Sequence, residues 1–318
     1  MRAIWWWAGA GSNSPGATLS KVRSEFRNRF EAALARSVLL SLEHTPRGIS
    51  DKLGLLYAQL LDAAIPRLRR SARINLAFAF PDRDAVWREK TIDGVFASIG
   101  RLLSAFAKFP RIDKSNVGDW IRYEGFEHYE TAMARGKGLL FATAHLGNWE
   151  LSAFSHALMA APMNVVVRPL DNPIIDGLVE QRRSLSGNAL LSKRDFARTI
   201  LQALRKNQAV GILMDQNAAA DNGAFVPFFG KQACTNTTFA RLAARSGAAV
   251  IPGFAVWSAA EKGYILRFYP AIEITGDEIE DTARIQAAIE AAIREYPDQW
   301  LWIHRRWKTR PEGEPGIY

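Results

Sequence analysis

The feature that most constrains the fold is a regular alternation of short apolar runs and helix-like segments after about residue 136. The runs at 139–144, 164–167, 189–191 and 209–214 have the length of strands, and a segment with helical periodicity follows each one. Short links between such elements favour parallel strands joined by right-handed crossovers. The pattern predicts an α/β fold with a mainly parallel central sheet flanked by helices.

Segments towards both ends of the chain predict further strands and helices. Residues 249–257 and 264–269 predict a strand pair joined by a turn, and residues 278–295 predict a long helix. Before residue 110 the apolar spacing is helical, and Asp84 is expected to cap the longest helix there. We therefore expect a flexible Gly/Ser/Pro-rich leader at 1–19 and a single domain at 20–318. In that domain, residues 20–110 are expected to be helical and residues 111–318 to form the α/β part.

Composition narrows the possible partners only slightly. The net charge of +9 attracts phosphates of any origin, and the arginines are scattered, although four cluster at 67–73. The cluster is either part of a packing layer or a contact with anionic membrane. Ten tryptophans are compatible with a membrane interface or with a core, and the single cysteine, Cys234, excludes an intrachain disulfide. No apolar run approaches the ~20 residues of a spanning helix.

The sequence lacks the characteristic motifs of several enzyme classes. There is no Gly-x-Ser-x-Gly nucleophile elbow, no Walker loop and no Gly-x-Gly-x-x-Gly. The five histidines are isolated and show no metal-ligand spacing. We therefore expect no α/β-hydrolase chemistry, no nucleotide site, no metal and no cofactor.

The segment Ala-His-Leu-Gly-Asn-Trp-Glu at 144–150 carries the first candidate site. His145 follows a buried strand candidate, where open α/β sheets build their sites, and Glu150 lies in the next helix start. On one continuous helix the two side chains would lie ~140° apart. They can meet only if the helix begins between them, with Gly147 at the bend. Alternatively, Glu150 stabilises the helix dipole and His145 is an ordinary loop residue.

Polar residues also follow two other strand candidates. Arg168 comes after residues 164–167, and Asp215 and Gln216 come after residues 209–214. If these strands are parallel neighbours, the three side chains converge with His145 on one edge of the sheet. Taken singly, each residue is equally well a cap or a salt-bridge partner.

The motifs together resemble the late acyltransferases of lipid A biosynthesis, within the glycerol-phosphate acyltransferase group. The resemblance spans residues 71–310. It rests on the His-x-x-x-x-Glu motif at 145–150 and on four further segments, which are Asn75–Pro81, Arg168–Pro173, the block of Asp215–Asn217 and Phe225–Gly230, and Trp300–Lys308. One departure is the lack of an apolar N-terminal anchor of the usual length. Peripheral attachment is therefore expected, with residues 20–110 as a membrane-facing helical layer and residues 111–318 as the catalytic part.

The resemblance implies acyl transfer from an acyl-carrier-protein thioester to a hydroxyl of a lipid A precursor or similar glycolipid. His145 would be the general base, and Glu150 would orient and charge its imidazole. Arg168, Asp215, Asn148 and Gln216 would bind or position the acceptor or support the dyad. Arg305 and Arg306 would contact lipid phosphates or be plain surface.

The resemblance also implies a place in the cell, the cytoplasmic face of the bacterial inner membrane with peripheral attachment. The expected partners are acyl carrier protein, the glycolipid and the membrane surface, with no nucleic acid. Two alternatives stay open. One is an acyltransferase for another membrane glycolipid, such as a phosphatidylinositol mannoside. The other is a nonenzymatic protein that binds anionic membrane through its charge.

Overall fold

A computed structural model describes residues 24–192 and 196–318, so the predicted leader at 1–19 lies outside the described residues. Within these ranges the chain forms ten α-helices and nine strands. The helices are α1 (Glu25–His44), α2 (Arg47–Ala64), α3 (Pro66–Ala79), α4 (Ala85–Ala107), α5 (Phe126–Ala134), α6 (Trp149–Met159), α7 (Pro173–Ser184), α8 (Phe196–Arg205), α9 (Thr238–Ser246) and α10 (Glu278–Glu295). The strands are β1 (Ile121–Glu124), β2 (Leu139–Thr143), β3 (Asn164–Val167), β4 (Ala189–Ser192), β5 (Ala209–Leu213), β6 (Ala224–Phe228), β7 (Lys231–Thr235), β8 (Ala249–Ser258) and β9 (Gly263–Phe268).

Seven strands form one mixed sheet in the order β1-β9-β8-β2-β5-β3-β4. Only the β8–β9 pair is antiparallel, and the other neighbours in this sheet are parallel. The predicted α/β class and mainly parallel sheet are therefore confirmed. The antiparallel hairpin β6–β7 lies outside the sheet, in a stretch whose sequence indicated only a loop and no strands.

The position of β2 at the centre of the sheet explains why its apolar run contains no alternating polar residues. β2 pairs with β5 on one side and β8 on the other, and its first four residues are buried. Its side chains point alternately to two core clusters, with Leu140 and Ala142 in one and Leu139 and Phe141 in the other. A strand covered on both faces needs apolar residues at every position. The carboxyl ends of β2, β5 and β3 consequently lie along one edge.

The expected helical layer before residue 110 is present as α1–α4. Asp84 caps α4, as predicted, by accepting a hydrogen bond from the Trp87 backbone N–H at 2.7 Å. The helices α2 and α4 meet at glycines, because a Cβ on Gly54 would lie 2.4 Å from the Gly100 carbonyl oxygen. No helix in the described ranges combines the length and apolar character required to cross a bilayer.

Candidate active site

His145 lies in a tight turn between β2 and α6. Gly147 has φ +64°, and a Cβ there would come within 2.0 Å of the Ala255 carbonyl oxygen. Only glycine fits such a position. The Asn148 side chain caps α6 by accepting the Leu151 backbone N–H at 2.9 Å. The helix therefore begins between His145 and Glu150, as their spacing required, and Asn148 is placed as part of the turn.

The carboxylate next to the imidazole belongs to Asp215. Asp215 follows β5, and its Oδ1 lies 2.9 Å from His145 Nδ1. Its Oδ2 accepts the His145 backbone N–H at 2.9 Å and the Trp300 indole N–H at 2.7 Å. All three residues are buried. The predicted convergence of the β2 and β5 ends is therefore observed for His145 and Asp215.

Asp215 is held in its ionised form. Burial alone raises the pKa of this carboxyl, but the charge of His145 and the hydrogen bonds from His145 and Trp300 outweigh burial and lower the pKa to about 2. An ionised acceptor at Nδ1 holds the neutral imidazole as the tautomer that carries its proton there. Nε2 is then left with a lone pair for a substrate proton. The Gln216 side-chain nitrogen lies 3.5 Å from Nε2.

Glu150 does not make the predicted contact with the imidazole. Its carboxylate accepts two hydrogen bonds from Arg183 on α7, at 2.8 Å from Nε and 2.5 Å from Nη2. Glu150 is only 6% exposed, and a buried carboxylate needs a charged partner. Arg183 provides that partner, so the expectation that Glu150 orients His145 is corrected in favour of Asp215.

The remaining predicted residues occupy different surroundings. Arg168 is exposed just after β3 and lies outside the hydrogen-bonded group of His145, Asp215 and Trp300. Arg306 was expected to bind phosphate or lie on the surface, and this is wrong. Its guanidinium is fully buried and donates to the Cys234 carbonyl, the Thr235 hydroxyl and the Gln286 side chain.

The C-terminal segment contributes residues that the sequence motifs did not assign to the site. The Leu301 N–H donates to the His145 carbonyl at 3.0 Å, and the Gly147 N–H donates to the Gln299 carbonyl at 2.9 Å. This backbone pairing brings the Trp300 indole to Asp215. The tryptophan-rich segment around Trp300 was visible in the sequence as a family signature, but its contact with Asp215 depends on long-range packing.

A second buried histidine lies close to this group. His304 Nε2 accepts the Asn217 backbone N–H at 3.1 Å, and burial lowers the pKa of His304 to about 3. His304 is therefore a neutral structural residue near neutral pH. Among residues 24–192 and 196–318, no three His, Cys, Asp or Glu side chains are grouped as a metal site would require.

An imidazole held by a buried, ionised carboxylate at the carboxyl edge of an α/β sheet is typical of enzymes that take a proton from a hydroxyl. The chain belongs to the bacterial lipid A biosynthesis acyltransferase family, whose model matches residues 21–309. The expected family is thus confirmed, and with it the acyl-transferring class of enzyme.

Individual relatives agree with this assignment. The chain is 34% identical over 261 residues to the lipid A biosynthesis palmitoleoyltransferase of Escherichia coli (strain K12), covering 80% of this chain and 84% of the relative. The lauroyltransferase of the same organism is 32% identical over 80% of this chain and 85% of its own length. The myristoyltransferase is 24% identical over 77% of each chain.

Proposed function

We propose that the protein transfers a fatty acyl chain from an acyl-carrier-protein thioester to a hydroxyl of a lipid A precursor or similar glycolipid. The observation that carries the proposal is the His145–Asp215 pair, in which the ionised carboxylate faces Nδ1 and Nε2 is left as the atom that would accept a proton. The family of the chain and the names of its relatives support the acyl group and the lipid acceptor.

The reaction follows from this geometry. His145 Nε2 removes the proton from the acceptor hydroxyl as that oxygen attacks the thioester carbonyl carbon. Asp215 stabilises the imidazolium that forms and keeps the ring in its orientation. When the tetrahedral intermediate collapses, the C–S bond breaks and the imidazolium returns the proton to the leaving thiolate. The products are the ester and the free carrier thiol, so no redox step is needed.

The other predicted site residues take supporting roles in this proposal. Asn148 sets the turn that follows His145, and Gln216 lies beside Nε2, where it can contact the acceptor. Arg168 is exposed at the same sheet edge and would bind an anionic group of the acceptor. Glu150 is a positioning residue, because its ion pair with Arg183 ties the first turn of α6 to α7.

The protein would work at the cytoplasmic face of the bacterial inner membrane as a peripheral enzyme. Its positive net charge of +9 is compatible with both an acidic carrier protein and anionic lipid. Residues 20–318 would act as a single acyltransferase domain with a glycerol-phosphate acyltransferase-like layout, and α1–α4 would be its membrane-facing layer.

The direct test is incubation with acyl-carrier-protein thioesters of several chain lengths and a lipid A precursor, followed by mass analysis of the lipid. We expect a mass gain of one acyl chain, and none with His145→Ala. A phosphatidylinositol mannoside offered in parallel tests the alternative acceptor. Transfer by the His145→Ala variant at the wild-type rate would disprove the role of His145. No transfer from any donor to either lipid would disprove the proposed activity.

A further inference from the structure

The outward surfaces of α1 and α2 hold most of the large apolar side chains that the described residues expose. Twelve such side chains are exposed, and eight are on these two helices. These eight, which we call the hairpin face, are Phe26, Phe30, Leu34, Leu40, Ile49, Leu55, Leu56 and Leu60. An apolar cluster of this kind on a monomer surface marks an interaction site.

The two helices that carry the hairpin face are neighbours. Phe26, Phe30 and Leu34 are spaced by four residues, so they form one stripe along α1. Leu56 and Leu60 form a similar stripe on α2. Phe30 lines a groove together with residues 64–67 at the end of α2, so the first half of α1 lies beside the last half of α2.

The charges around the hairpin face are mostly basic. Among residues 24–73, exposed positions carry six basic side chains and one acidic side chain, Glu25, which pairs with Arg29. The exposed basic residues are Arg29, Arg36, Lys52, Arg67, Arg70 and Arg73. Within this cluster, Arg69 is engaged by Asp62, Glu89 and Asp93, and Arg73 is paired with Glu89. Apolar stripes flanked by basic residues match an anionic lipid surface.

The hairpin face also lies next to the sheet edge that carries His145. Asn172, which caps α7 after β3, donates from its side chain to the Asn28 carbonyl at 3.0 Å and to Glu31 at 3.2 Å. The first turns of α1 therefore contact the segment that follows β3, whose carboxyl end lies at the same edge as those of β2 and β5. Ile174, two residues after Asn172 at the start of α7, is another exposed apolar side chain.

We propose that the hairpin face inserts into the surface of an anionic phospholipid leaflet and thereby holds the His145 edge against the membrane. This inference rests on the proposed function in one respect, since the acceptor is taken to be a membrane lipid. With the face inserted, a glycolipid needs to rise only part of the way out of the leaflet for its hydroxyl to reach His145.

The test compares two charge insertions in the full chain. Phe30→Glu/Leu60→Glu places two carboxylates in the hairpin face, and Val86→Glu/Ile279→Glu places two at exposed apolar positions on α4 and α10. Each protein is sedimented with vesicles of phosphatidylethanolamine and phosphatidylglycerol and with neutral phosphatidylcholine vesicles. All variants keep residues 1–23, so the contribution of that segment is the same in each.

We expect the hairpin variant to lose at least tenfold in binding to the anionic vesicles, whereas the control variant binds like the wild type. Transfer to an acceptor embedded in vesicles falls for the hairpin variant, and transfer to an acceptor dispersed in detergent does not. Unchanged vesicle binding, or an equal loss in the control, overturns the proposal. The proposal is also overturned if the wild type is a dimer and, of the two variants, only the hairpin variant is monomeric. An inactive wild type that still binds vesicles through this face instead contradicts the proposed function.

A second inference concerns Trp300 and rests on a different observation. Its indole N–H donates to Asp215 Oδ2 at 2.7 Å, and only 1% of the residue is exposed. The ring is fixed by edge contacts with Trp302 and Phe228, at centroid distances of 4.5 and 5.8 Å. Backbone hydrogen bonds on both sides of Trp300 hold it to the turn that carries His145.

We infer that Trp300 is a positioning residue that acts through Asp215. A carboxylate that faces two N–H groups of His145 can still rotate about its Cβ–Cγ bond. The third donor, in a rigid aromatic ring, opposes that rotation and keeps Oδ1 on Nδ1. This role presupposes the proposed chemistry of His145, since it concerns the orientation of that base.

The chain provides a matched control for Trp300. Trp302 is also buried, and its indole N–H donates to the Pro297 carbonyl at 2.7 Å, away from Asp215. Trp300→Phe and Trp302→Phe thus each remove one buried indole donor from the same segment. Thermal unfolding, kcat, KM and the pH dependence of kcat/KM are measured for both, together with the Nδ1–H proton signal of His145 by NMR. That signal is assigned by its loss in His145→Gln.

We expect Trp300→Phe to lower kcat about ten- to a hundredfold with little change in KM. The pH profile of kcat/KM also changes, because the Asp215 carboxylate that faces the imidazole has lost one of its three donors. Trp302→Phe lowers stability but keeps kcat and the pH profile. The inference is overturned if Trp300→Phe and Trp302→Phe change the kinetics equally. It is also overturned if the Nδ1–H signal of His145 is unchanged by Trp300→Phe. The NMR signal decides this even where the wild type shows no transfer.

Discussion

At the scale of single residues, Asp215 and Glu150 differ in what surrounds each carboxylate. Asp215 accepts three N–H groups, two of them from His145. Glu150 lies in the same motif as His145, yet both of its oxygens are engaged by Arg183. Both acids are buried, so each needs its own donors. The donors that reach each carboxylate therefore decide that Asp215, and not Glu150, is the partner of His145. Nothing in the local sequence decides this.

Asp215→Asn should abolish most activity while leaving the fold in place. The amide has nearly the shape of the carboxylate, but it is neutral and can donate to Nδ1, which favours the wrong imidazole tautomer. We expect kcat to fall about 10²–10⁴-fold with little change in the urea unfolding midpoint. An Asp215→Asn variant that transfers acyl chains at the wild-type rate would show that Asp215 does not orient the base.

The main expected effect of Glu150→Gln is a loss of stability. It removes the charge that faces Arg183 in a buried pair, and breaking such a pair costs roughly 3–5 kcal/mol. We expect the free energy of unfolding in urea to fall by about that amount. The double variant Glu150→Gln/Arg183→Gln should recover part of the loss. A Glu150→Gln protein as stable as the wild type, with no activity, would instead indicate a direct catalytic role.

At the scale of elements, the sequence predicted the parallel strands around the site because each is covered on both faces and therefore apolar throughout. The strand pair β8–β9 and the helix α10 were also predicted at their observed positions. The short edge strand β1 was missed because its burial varies along Ile121–Glu124. The hairpin β6–β7 was missed because Pro227 and Phe229-Gly230 resemble a loop.

The contact between α2 and α4 gives an element-scale prediction. Gly54→Ala should destabilise the protein, because the added Cβ meets the Gly100 carbonyl oxygen at 2.4 Å. We expect a loss of about 1–3 kcal/mol in the free energy of unfolding, measured in urea. Gly48→Ala on the same helix is the control, since a Cβ there has no atom within 4 Å. The control should be unchanged or stabilised by up to ~1 kcal/mol.

At the scale of the whole molecule, two buried histidines connect stability to pH. His156 accepts or donates one hydrogen bond with the Tyr123 hydroxyl at 3.1 Å and otherwise lies among aromatic rings. Burial lowers the pKa of His156 to about 4 and that of His304 to about 3. In the unfolded chain both residues titrate near their ordinary value of 6.5. Their contribution to stability is therefore complete above about pH 6.5 and is lost progressively as the pH falls towards the folded-state values.

We expect the free energy of unfolding to fall by about 2 kcal/mol per buried histidine between pH 7.5 and pH 5. His156→Gln should remove the part of that pH-dependent loss that comes from His156. This holds whether or not the substitution also changes the stability at pH 7.5. His44→Gln, at an exposed position on α1, is the control for the replacement of a histidine. Urea unfolding at both pH values measures this, and an unaltered slope in His156→Gln would contradict the assignment.

By itself, the sequence determined the α/β class, the parallel core strands, the turn at Gly147 and the family of the chain. These depend on local periodicity, on one turn position where only glycine fits, and on motifs that are read residue by residue. The tertiary structure alone decided that Asp215, 70 positions from His145, is the carboxylate at Nδ1 and that Trp300 holds it. It also decided that Glu150 pairs with Arg183 and that Arg306 is buried. Hydrogen bonds between distant segments depend on how strands and loops pack, and no local pattern encodes that packing.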